Sequence, residues 1–264
     1  MTLKYGHGAL DTYRRCPRQF HFRFIERLPL RPSPMLVVGS RVHTALRGIF
    51  EVDVTERTEE KLIELLRRAW RKDRAVFGSD RLKEKEWGDR AVAMLHQFIK
   101  RYDTSARPIL LESFVEVPLG QHILWGRVDR VDSLDSQRVK IFDYKTGKLP
   151  RDVGFWIAQD LSAAVYAAGV ARRLGQVTVV EVEYIFLAEG QSVNVHVEEQ
   201  MVAAKLSDAK VILQSLSSER TWTPRPGTYC KWCDFQEKCP EGSAHVQGMK
   251  EKVVEIVDEA DLPF

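Results

Sequence analysis

The sequence lacks a long apolar run, a secretory leader and a large net charge. None of the apolar runs in its 264 residues is long enough to cross a bilayer. The first residues contain no apolar core of the kind found in secretory signals, so we expect a cytoplasmic protein without membrane contacts. The net charge is only +3, and any surface that binds nucleic acid must therefore be a local basic patch. Internal repeats are also absent, and a hydrophobic content of 44% suffices for one sizeable core.

Cysteine is scarce: a single early residue, Cys16, is followed by three late ones, Cys230, Cys233 and Cys239. In a cytoplasmic protein, such cysteines are more often metal ligands than disulfide partners. A zinc ribbon typically has two pairs of cysteines, whereas this chain has a Cys-x-x-Cys, a Cys-Pro and one distant cysteine. Four cysteines can hold a [4Fe-4S] cluster. Zinc stays an alternative, because ligand identity alone does not select the metal.

The most informative stretch is an apolar strand pattern that ends in Asp143-Tyr144-Lys145. Because strand side chains alternate between faces, Asp143 and Lys145 should share one face and Tyr144 should lie on the other. A charged pair beside a sheet core is unfavourable unless it has a function. A second strand pattern contains Asp129, and a hairpin through residues 133–137 would bring Asp129 close to Asp143. Two carboxylates and a lysine can form a divalent-metal site suited to phosphodiester hydrolysis.

Taken together, the motifs carry a family resemblance. A Gly-x-x-Asp motif at 126–129, followed by an Asp-x-Lys motif at 143–145, resembles the PD-(D/E)xK nuclease superfamily. Three further features resemble its RecB-like exonucleases, a group that includes the nucleases of CRISPR adaptation. They are a Gly-x-x-x-His motif at 39–43, the helical segment at 160–166 and the one-plus-three cysteines. Each motif alone is weakly specific, but their order along nearly the whole chain makes the set specific.

The resemblance implies roles for the site residues. A Mg²⁺ or Mn²⁺ ion would be held by Asp129, Asp143 and His43, with the backbone carbonyl of Tyr144 as a further ligand. Lys145 would position or deprotonate the attacking water, or stabilise charge on the phosphate. The alternative for His43 is a structural, hydrogen-bonded histidine.

Supporting residues are expected around this set. Glu116, on the preceding strand, is a candidate further acid. The family has a glutamine at the position of Ser162, followed four residues later by a tyrosine, here Tyr166. We expect Gln159, one helical turn before Ser162, to take over the contact of that glutamine with nucleic acid or a ligand near the metal. For Tyr166, core packing is the alternative.

The resemblance also implies the fold. We expect an α/β protein with a PD-(D/E)xK restriction-endonuclease-like core, in which helices flank a central mixed sheet. Residues 1–249 would form a single iron-sulfur nuclease domain, with a helical insertion at about 54–106. Segments at about 9–28 and 222–241 would bind the [4Fe-4S] cluster through Cys16, Cys230, Cys233 and Cys239, and so clamp the chain ends.

Periodicity and turn residues predict the individual elements. The segment 9–28 reads as helix broken near Pro17, and its arginines form either a solvated face or a nucleic-acid surface. The other predicted helices cover residues 39–51, 55–77, 83–103, 155–174 and 199–216. The predicted strands cover residues 109–118, 123–131, 139–145, 177–187 and 193–197.

Residues 250–264 form an acidic tail that ends in Asp261–Phe264. Most such runs are disordered. The ending also resembles the tip of bacterial single-stranded-DNA-binding proteins, whose terminal Phe and carboxylate enter pockets on partner proteins. The tail would then bind proteins that read such tips, or fold back onto a basic groove of the nuclease itself.

The expected function is that of a Mg²⁺- or Mn²⁺-dependent deoxyribonuclease. We expect an exonuclease that acts on single-stranded DNA ends in DNA repair, recombination or CRISPR adaptation. The alternative is a non-catalytic or partner-dependent DNA-binding subunit of a helicase-nuclease or integrase complex. The retained acids argue against a non-catalytic subunit, while the missing glutamine argues for it.

Overall fold

The computed structural model describes residues 2–71, 74–175 and 177–249, which form two compact units. The first unit contains the described residues up to His7 and those from Pro32 to Lys210. The second contains Gly8–Arg31 and the described residues from Val211 onward. The single domain over 1–249 stays a prediction, and the tail that ends in Asp261–Phe264 lies outside the described residues.

A six-stranded mixed sheet and eight helices account for most of the described chain. The strands are β1 (Lys4–Gly6), β2 (Pro108–Leu119), β3 (His122–Ser133), β4 (Arg138–Lys145), β5 (Thr178–Phe186) and β6 (Gln191–His196). The helices are α1 (His7–Arg15), α2 (Pro17–Phe20), α3 (Pro34–Glu51), α4 (Glu59–Trp70), α5 (Arg81–Arg101), α6 (Val153–Gln159), α7 (Ser162–Leu174) and α8 (Glu199–Ser218).

The sheet has the order β1-β3-β4-β5-β6, and β2 pairs with the other side of β3. The pairs β1–β3 and β4–β5 are parallel, and the remaining pairs are antiparallel. This arrangement confirms the predicted central mixed sheet flanked by helices. It also confirms the hairpin of β3 and β4, in which Arg130 lies opposite Phe142 and Ser133 opposite Val139.

One side of β3 contains a gap in the sheet. β2 pairs along nearly the full length of β3, whereas β1 pairs only with residues 123–125 and β4 only with residues 130–133. Among the described residues, the segment 126–129 therefore has no strand partner on the side that β1 and β4 share. Asp129 lies at the end of this gap.

Three helices cover one face of the sheet. Side chains of α3, α4 and α5 pack with Phe142 and Tyr144 in one hydrophobic core. α4 and α5 lie within the segment predicted as a helical insertion, and its status as an insertion stays a prediction. α3 begins at Pro34 and not at the predicted Gly39, because proline is tolerated in the first turn of a helix. α4 and α5 begin at side-chain caps, the hydroxyl of Thr58 and the carboxylate of Asp80.

The opposite face packs against α7, and the predicted continuous helix at 155–174 is wrong. The chain leaves the helix at Asp160 and Leu161 and bends by 51° between α6 and α7. The Asp160 carboxylate accepts hydrogen bonds from the Ser162 hydroxyl and the Ala163 N–H, and so caps α7 as a separate helix. Within the described ranges, no single helix is long and apolar enough to span a membrane, and only the bent α6–α7 pair meets that measure jointly.

The second unit brings together segments from the two ends of the described chain. The hydroxyl of Tyr229 donates to the Arg15 carbonyl at 2.9 Å, and the hydroxyl of Tyr13 donates to Glu219 at 3.0 Å. The rings of Phe20 and Trp222 stack with centroids 5.9 Å apart. As predicted, helical structure is interrupted just before Pro17, after which the chain continues through α2 and a π-helical turn at His21–Ile25.

Candidate metal centre and active site

Three side chains from three different elements converge beside the gap in the sheet. They are His43 from α3, Glu112 from β2 and Asp129 from β3, and one ligand atom from each lies within 4.8 Å of the others. His43 Nδ1 is 3.1 Å from Asp129 Oδ1 and 3.7 Å from Glu112 Oε1. Carboxylate oxygens and an imidazole nitrogen are a suitable ligand set for a divalent cation.

Asp129 also fixes the end of β4. Its second oxygen, Oδ2, accepts a hydrogen bond from the Tyr144 N–H at 2.7 Å, where the ladder between β3 and β4 has already ended. The N–H and C=O of one strand residue point to the same side, so the Tyr144 carbonyl faces the side of Asp129. The next carbonyl, that of Lys145, faces β5 and accepts from Leu187 N–H at 2.9 Å. This geometry is compatible with the Tyr144 carbonyl as a ligand, which stays a prediction.

Asp143 and Lys145 lie on one face of β4, as predicted. Lys145 Nζ is 2.8 Å from Asp143 Oδ1, while Tyr144 points into the opposite core and its ring packs 5.4 Å from that of Phe98. Burial lowers the pKa of Lys145, but Asp143 and Asp160 raise it more, so the net shift is upward. Lys145 is therefore an ammonium at neutral pH, which suits positioning and charge stabilisation better than deprotonation of a water.

Glu112 reaches the site through an unusual backbone conformation. Its φ is 43°, in the left-handed region, although it lies in the middle of β2. Such a conformation in a non-glycine residue costs roughly 1–3 kcal/mol and is found at functional sites. The neighbouring pairs, Leu111 with Arg130 and Ser113 with Val128, place Glu112 opposite Asp129. The left-handed turn directs the carboxylate to His43.

The prediction that Glu116 is a further acid of the site is wrong. Its side chain is half-exposed and pairs with Lys4 at 2.6 Å. Glu112 and Glu116 are four residues apart on one strand, and regular alternation would give both the same face. The left-handed backbone at Glu112 places this residue, and not Glu116, at the site. The sequence pattern does not reveal that conformation.

The acids around His43 change its protonation. Burial lowers the pKa of His43, but Asp129, Glu112 and Asp143 outweigh burial and raise it to about 10. Burial raises the pKa of the Asp129 carboxyl, and His43 opposes that shift. The surrounding carboxylates thus keep His43 protonated at neutral pH when no cation is bound. A metal ligand must be the neutral imidazole, so cation binding here displaces a proton.

Two glycines, each a few residues before a candidate ligand, lie where another element approaches the backbone closely. A Cβ on Gly39 would lie 3.0 Å from the Thr146 hydroxyl, so α3 approaches the end of β4 closely one turn before His43. A Cβ on Gly126 would lie 2.7 Å from the Tyr166 ring, so that ring lies directly on β3 three residues before Asp129. Both glycines permit a close approach that positions the ligand following them in the chain.

Comparison with known proteins agrees with this geometry. A sequence model described as the PD-(D/E)XK nuclease superfamily matches residues 6–240. The chain belongs to the PD-(D/E)XK nuclease superfamily. Members of this superfamily usually use divalent metals, and the acidic site is present here. A search of curated proteins found no match to the sequence.

Solved structures support the fold of this PD-(D/E)XK superfamily member. The crystal structure of a candidate exonuclease from Eubacterium rectale aligns with a TM-score of 0.54 and 17% identity, covering 86% of each chain. At this identity the similarity establishes the fold alone. The structure of SSO0001 aligns at 16% identity over 77% of this chain and 84% of its own, but its TM-score of 0.33 supports no conclusion.

The α6–α7 junction differs from the superfamily pattern that the sequence suggested. Ser162 is buried, and its hydroxyl contacts Asp160 and the Tyr184 hydroxyl, both at 2.8 Å. Gln159 is exposed at the last position of α6, so the helical spacing that related it to Ser162 is wrong. Its supporting role stays a prediction without that geometric basis.

Tyr166 is buried in the sheet-side core and also adjoins the acids. Burial raises its pKa, and Asp143 and Asp129 raise it further, so the phenol stays a neutral donor. Its ring meets the His7 ring edge to face at 5.4 Å. Packing and a supporting role are thus compatible for this residue.

Sequence reasoning missed two further residues near the acids. Nδ1 of His7 has no hydrogen-bond partner among the described residues, and burial lowers its pKa against the influence of Asp160 and Asp143. Asp160 helps to raise the pKa of Lys145. An Asp-x-Ser pattern before an alanine-rich run is a helix-cap signal that could have revealed Asp160. We find no comparable signal for His7.

In this nuclease-superfamily chain the four cysteines line a single cavity of the second unit. Backbone N–H groups contact three of the sulfurs: Arg225 N is 3.5 Å from Cys16 Sγ, Gly227 N is 3.4 Å from Cys230 Sγ, and Gly242 N is 3.4 Å from Cys239 Sγ. The fourth, Cys233, accepts from the Phe235 N–H, and burial raises its pKa.

The sulfurs are not gathered as tightly as ligands of one ion. Within the described part of the chain, no three of them lie within 4.8 Å of one another. Four sulfurs about 2.3 Å from a zinc ion would be roughly 3.8 Å apart. The cysteines therefore share a cavity without forming a compact single-ion site.

Proposed function

We propose that this protein is a metal-dependent DNA nuclease, an exonuclease that acts on single-stranded DNA ends. One observation carries the proposal: the His43–Glu112–Asp129 group and the Asp143–Lys145 pair meet at the end of β4. The superfamily implies DNA as the substrate. The retained acids and lysine favour a catalytic protein over a binding subunit.

The residues present fit a hard divalent cation such as Mg²⁺ or Mn²⁺. We assign it to His43, Asp129 and Asp143 with the Tyr144 carbonyl, and add Glu112 to this set. A bound cation lowers the pKa of a water and neutralises charge on the phosphate. Lys145, held by Asp143 at 2.8 Å, orients the attacking water and stabilises the charge that develops on the phosphate oxygens. Tyr166 supplies a neutral hydroxyl from the α7 side.

We further propose the RecB-like subtype with a [4Fe-4S] cluster on Cys16, Cys230, Cys233 and Cys239. The shared cavity and an N–H donor to each sulfur support it, because such hydrogen bonds stabilise thiolates bound to iron. The choice of a cluster over one zinc ion rests on the one-plus-three pattern of the cysteines in the sequence. The cluster would clamp the early and late segments of the second unit.

Substrate ends, pathway and location belong to the same proposal. The E. rectale protein is described as a candidate exonuclease, which favours degradation from an end. DNA repair, recombination or CRISPR adaptation in the cytoplasm are the contexts that we propose. The acidic tail that ends in Asp261–Phe264 would bind proteins that read single-stranded-DNA-binding-protein tips.

The experiment uses anaerobically purified protein and DNA labelled at either end, single- or double-stranded, with Mg²⁺ or Mn²⁺. Wild type should degrade single strands from an end, and Asp143→Ala should lower the rate by a factor on the order of 100–1,000, because it removes a ligand of the proposed cation and the partner that positions Lys145. Glu112→Gln should also impair cleavage, whereas the matched variant Glu116→Gln should cleave like wild type. No cleavage by wild type, with DNA binding retained, would favour the partner-dependent or non-catalytic subunit.

A further inference from the structure

A second feature adjoins the end of β4, on the side of the helical insertion. It is a cleft of about 310 Å³, which we call the α5 cleft, lined by side chains that include Met35 of α3, Trp87, Arg90 and Met94 of α5, and Thr146 and Lys148. Its volume lies at the lower end of the range for small-ligand sites, roughly 300–1,000 Å³. The α5 cleft therefore has room for one small planar group.

The lining combines flat apolar surface with positive charge. The guanidinium carbon of Arg90 lies 4.7 Å from the centroid of the Trp87 ring, and the side chains of Met35 and Met94 complete this wall. The Arg90 guanidinium also pairs with Glu86 of the same helix, so Lys148 carries the positive charge of the cleft that has no acidic partner within the described lining. Lys148 is exposed at the rim, and no Asp or Glu is among the described residues of the lining. Nucleobases stack on aromatic rings and arginine planes, and cations beside them bind the phosphates.

The α5 cleft and the candidate active site are built partly from the same two elements, α3 and the end of β4. Thr146 and Lys148 follow Lys145 directly in the chain, and α3 supplies both a wall of the cleft and His43. The contact of Gly39 with Thr146 holds α3 and the end of β4 together between the two places. The Lys145 side chain lies over the Tyr184 ring on the α7 face of the sheet and Trp87 packs on the α3–α5 face, so a DNA strand that contacts both must pass around the end of β4.

We propose that the α5 cleft binds one unpaired nucleobase of the DNA strand that is cut. The proposal rests on the proposed nuclease function and adds a substrate preference to it. A base in a duplex must be unstacked and unpaired before it can enter such a cleft, whereas a base in a single strand is available. The α5 cleft thus selects single-stranded ends.

The test removes the base and the ring separately and together. Affinity is measured for the Asp143→Ala protein with single-stranded oligonucleotides, each carrying one abasic nucleotide at a successive position from either end. One position should lose roughly 5- to 100-fold in affinity when its base is missing, because base stacking on an aromatic ring contributes that much. Adding Trp87→Leu should weaken the intact oligonucleotide similarly and abolish the effect of the abasic nucleotide.

A second variant separates loss of the cleft from damage to the fold, because Trp87 also packs against the core. Ala93 is exposed and lines the α5 cleft, so Ala93→Phe should fill it without disturbing the interior and should weaken binding to the same extent. Val211→Phe, at an exposed position of α8, is the matched control and should bind like the parent.

The outcomes distinguish the two proposals. Equal affinity for every abasic oligonucleotide, or an abasic effect that survives both Trp87→Leu and Ala93→Phe, would overturn the α5 cleft as a base site. If wild type does not cleave DNA but the position-specific effect is present, the base site stands and the nuclease proposal fails. If wild type cleaves without any such effect, only the base site fails.

Discussion

The carboxylate site of the first unit and the cysteine cavity of the second are held in place by different means. Around the carboxylates, ligands come from long elements and contact each other directly, as Asp129 does with His43 and the Tyr144 N–H. Around the cysteines, the chain consists of short turns, and backbone N–H groups contact the sulfurs. The fold itself holds the first site together, whereas the proposed cluster would have to supply that link at the second.

The proposed cluster predicts the largest effect, on removal of one of its cysteines. Cys230→Ser should abolish iron binding and destabilise the second unit by several kcal/mol, because binding energy at such a site is folding energy. Iron content, visible absorption and thermal unfolding measure this, with Asp143→Ala as the control that keeps both cluster and melting temperature. A Cys230→Ser protein with the melting temperature of wild type would show that the second unit does not need a bound cluster for its stability.

Metal binding at the first site should depend on pH. Because the pKa of His43 is raised to about 10 without a cation, the imidazole is protonated across the neutral range and must lose that proton to bind metal. Affinity for Mn²⁺ should therefore rise with pH, by up to about tenfold per unit, and level off only near that pKa.

Calorimetry in two buffers of different ionisation enthalpy would measure this directly, as about one proton released per ion bound at pH 7. His43→Asn should remove most of the dependence on pH. Affinity that is flat between pH 6 and 9 in wild type would contradict the prediction.

A smaller effect separates function from stability at Glu112. Glu112→Gly removes a carboxylate from the site but also relieves the left-handed backbone, so the protein should become more stable by about 1 kcal/mol while metal affinity falls. Glu112→Gln keeps the strained backbone, so it should lose metal affinity without becoming more stable. Chemical unfolding of both variants gives the comparison, and equal stabilities would mean that the backbone stores no strain.

The smallest expected effect concerns the approach of α3 to β4. Gly39→Ala places a methyl group 3.0 Å from the Thr146 hydroxyl, which can rotate away, so the change in stability should stay below about 1 kcal/mol. Cleavage should nevertheless fall a few-fold, because His43 lies one turn further along α3. Ala45→Gly, a change in the same helix beyond His43, controls for the flexibility of α3 and should lower stability without the few-fold loss of cleavage.

The sequence was most informative where structure is local. The alternation of Asp143, Tyr144 and Lys145 and the hairpin of β3 and β4 follow from strand geometry and a short turn, and both were predicted. The break before Ser162 was less accessible, because an alanine-rich run at 155–174 masks a cap formed by one carboxylate.

Features that depend on distant contacts escaped prediction. Glu112 differs from Glu116 only through a backbone angle fixed by the surrounding sheet, and His7 adjoins the acids only because β1 pairs with β3. Likewise, the sequence could group Cys16 with Cys230, but not the N–H donors that face each sulfur.

The gap beside residues 126–129 gives Asp129 a dual task. One oxygen, at 2.7 Å from the Tyr144 N–H, sets the distance between two strands, and the other, at 3.1 Å from His43, sets the position of a ligand. A change in the separation of β3 and β4 at this point would therefore also change the distance between Asp129 and His43. In the proposed metal site, a larger cation would therefore require β3 and β4 to move apart.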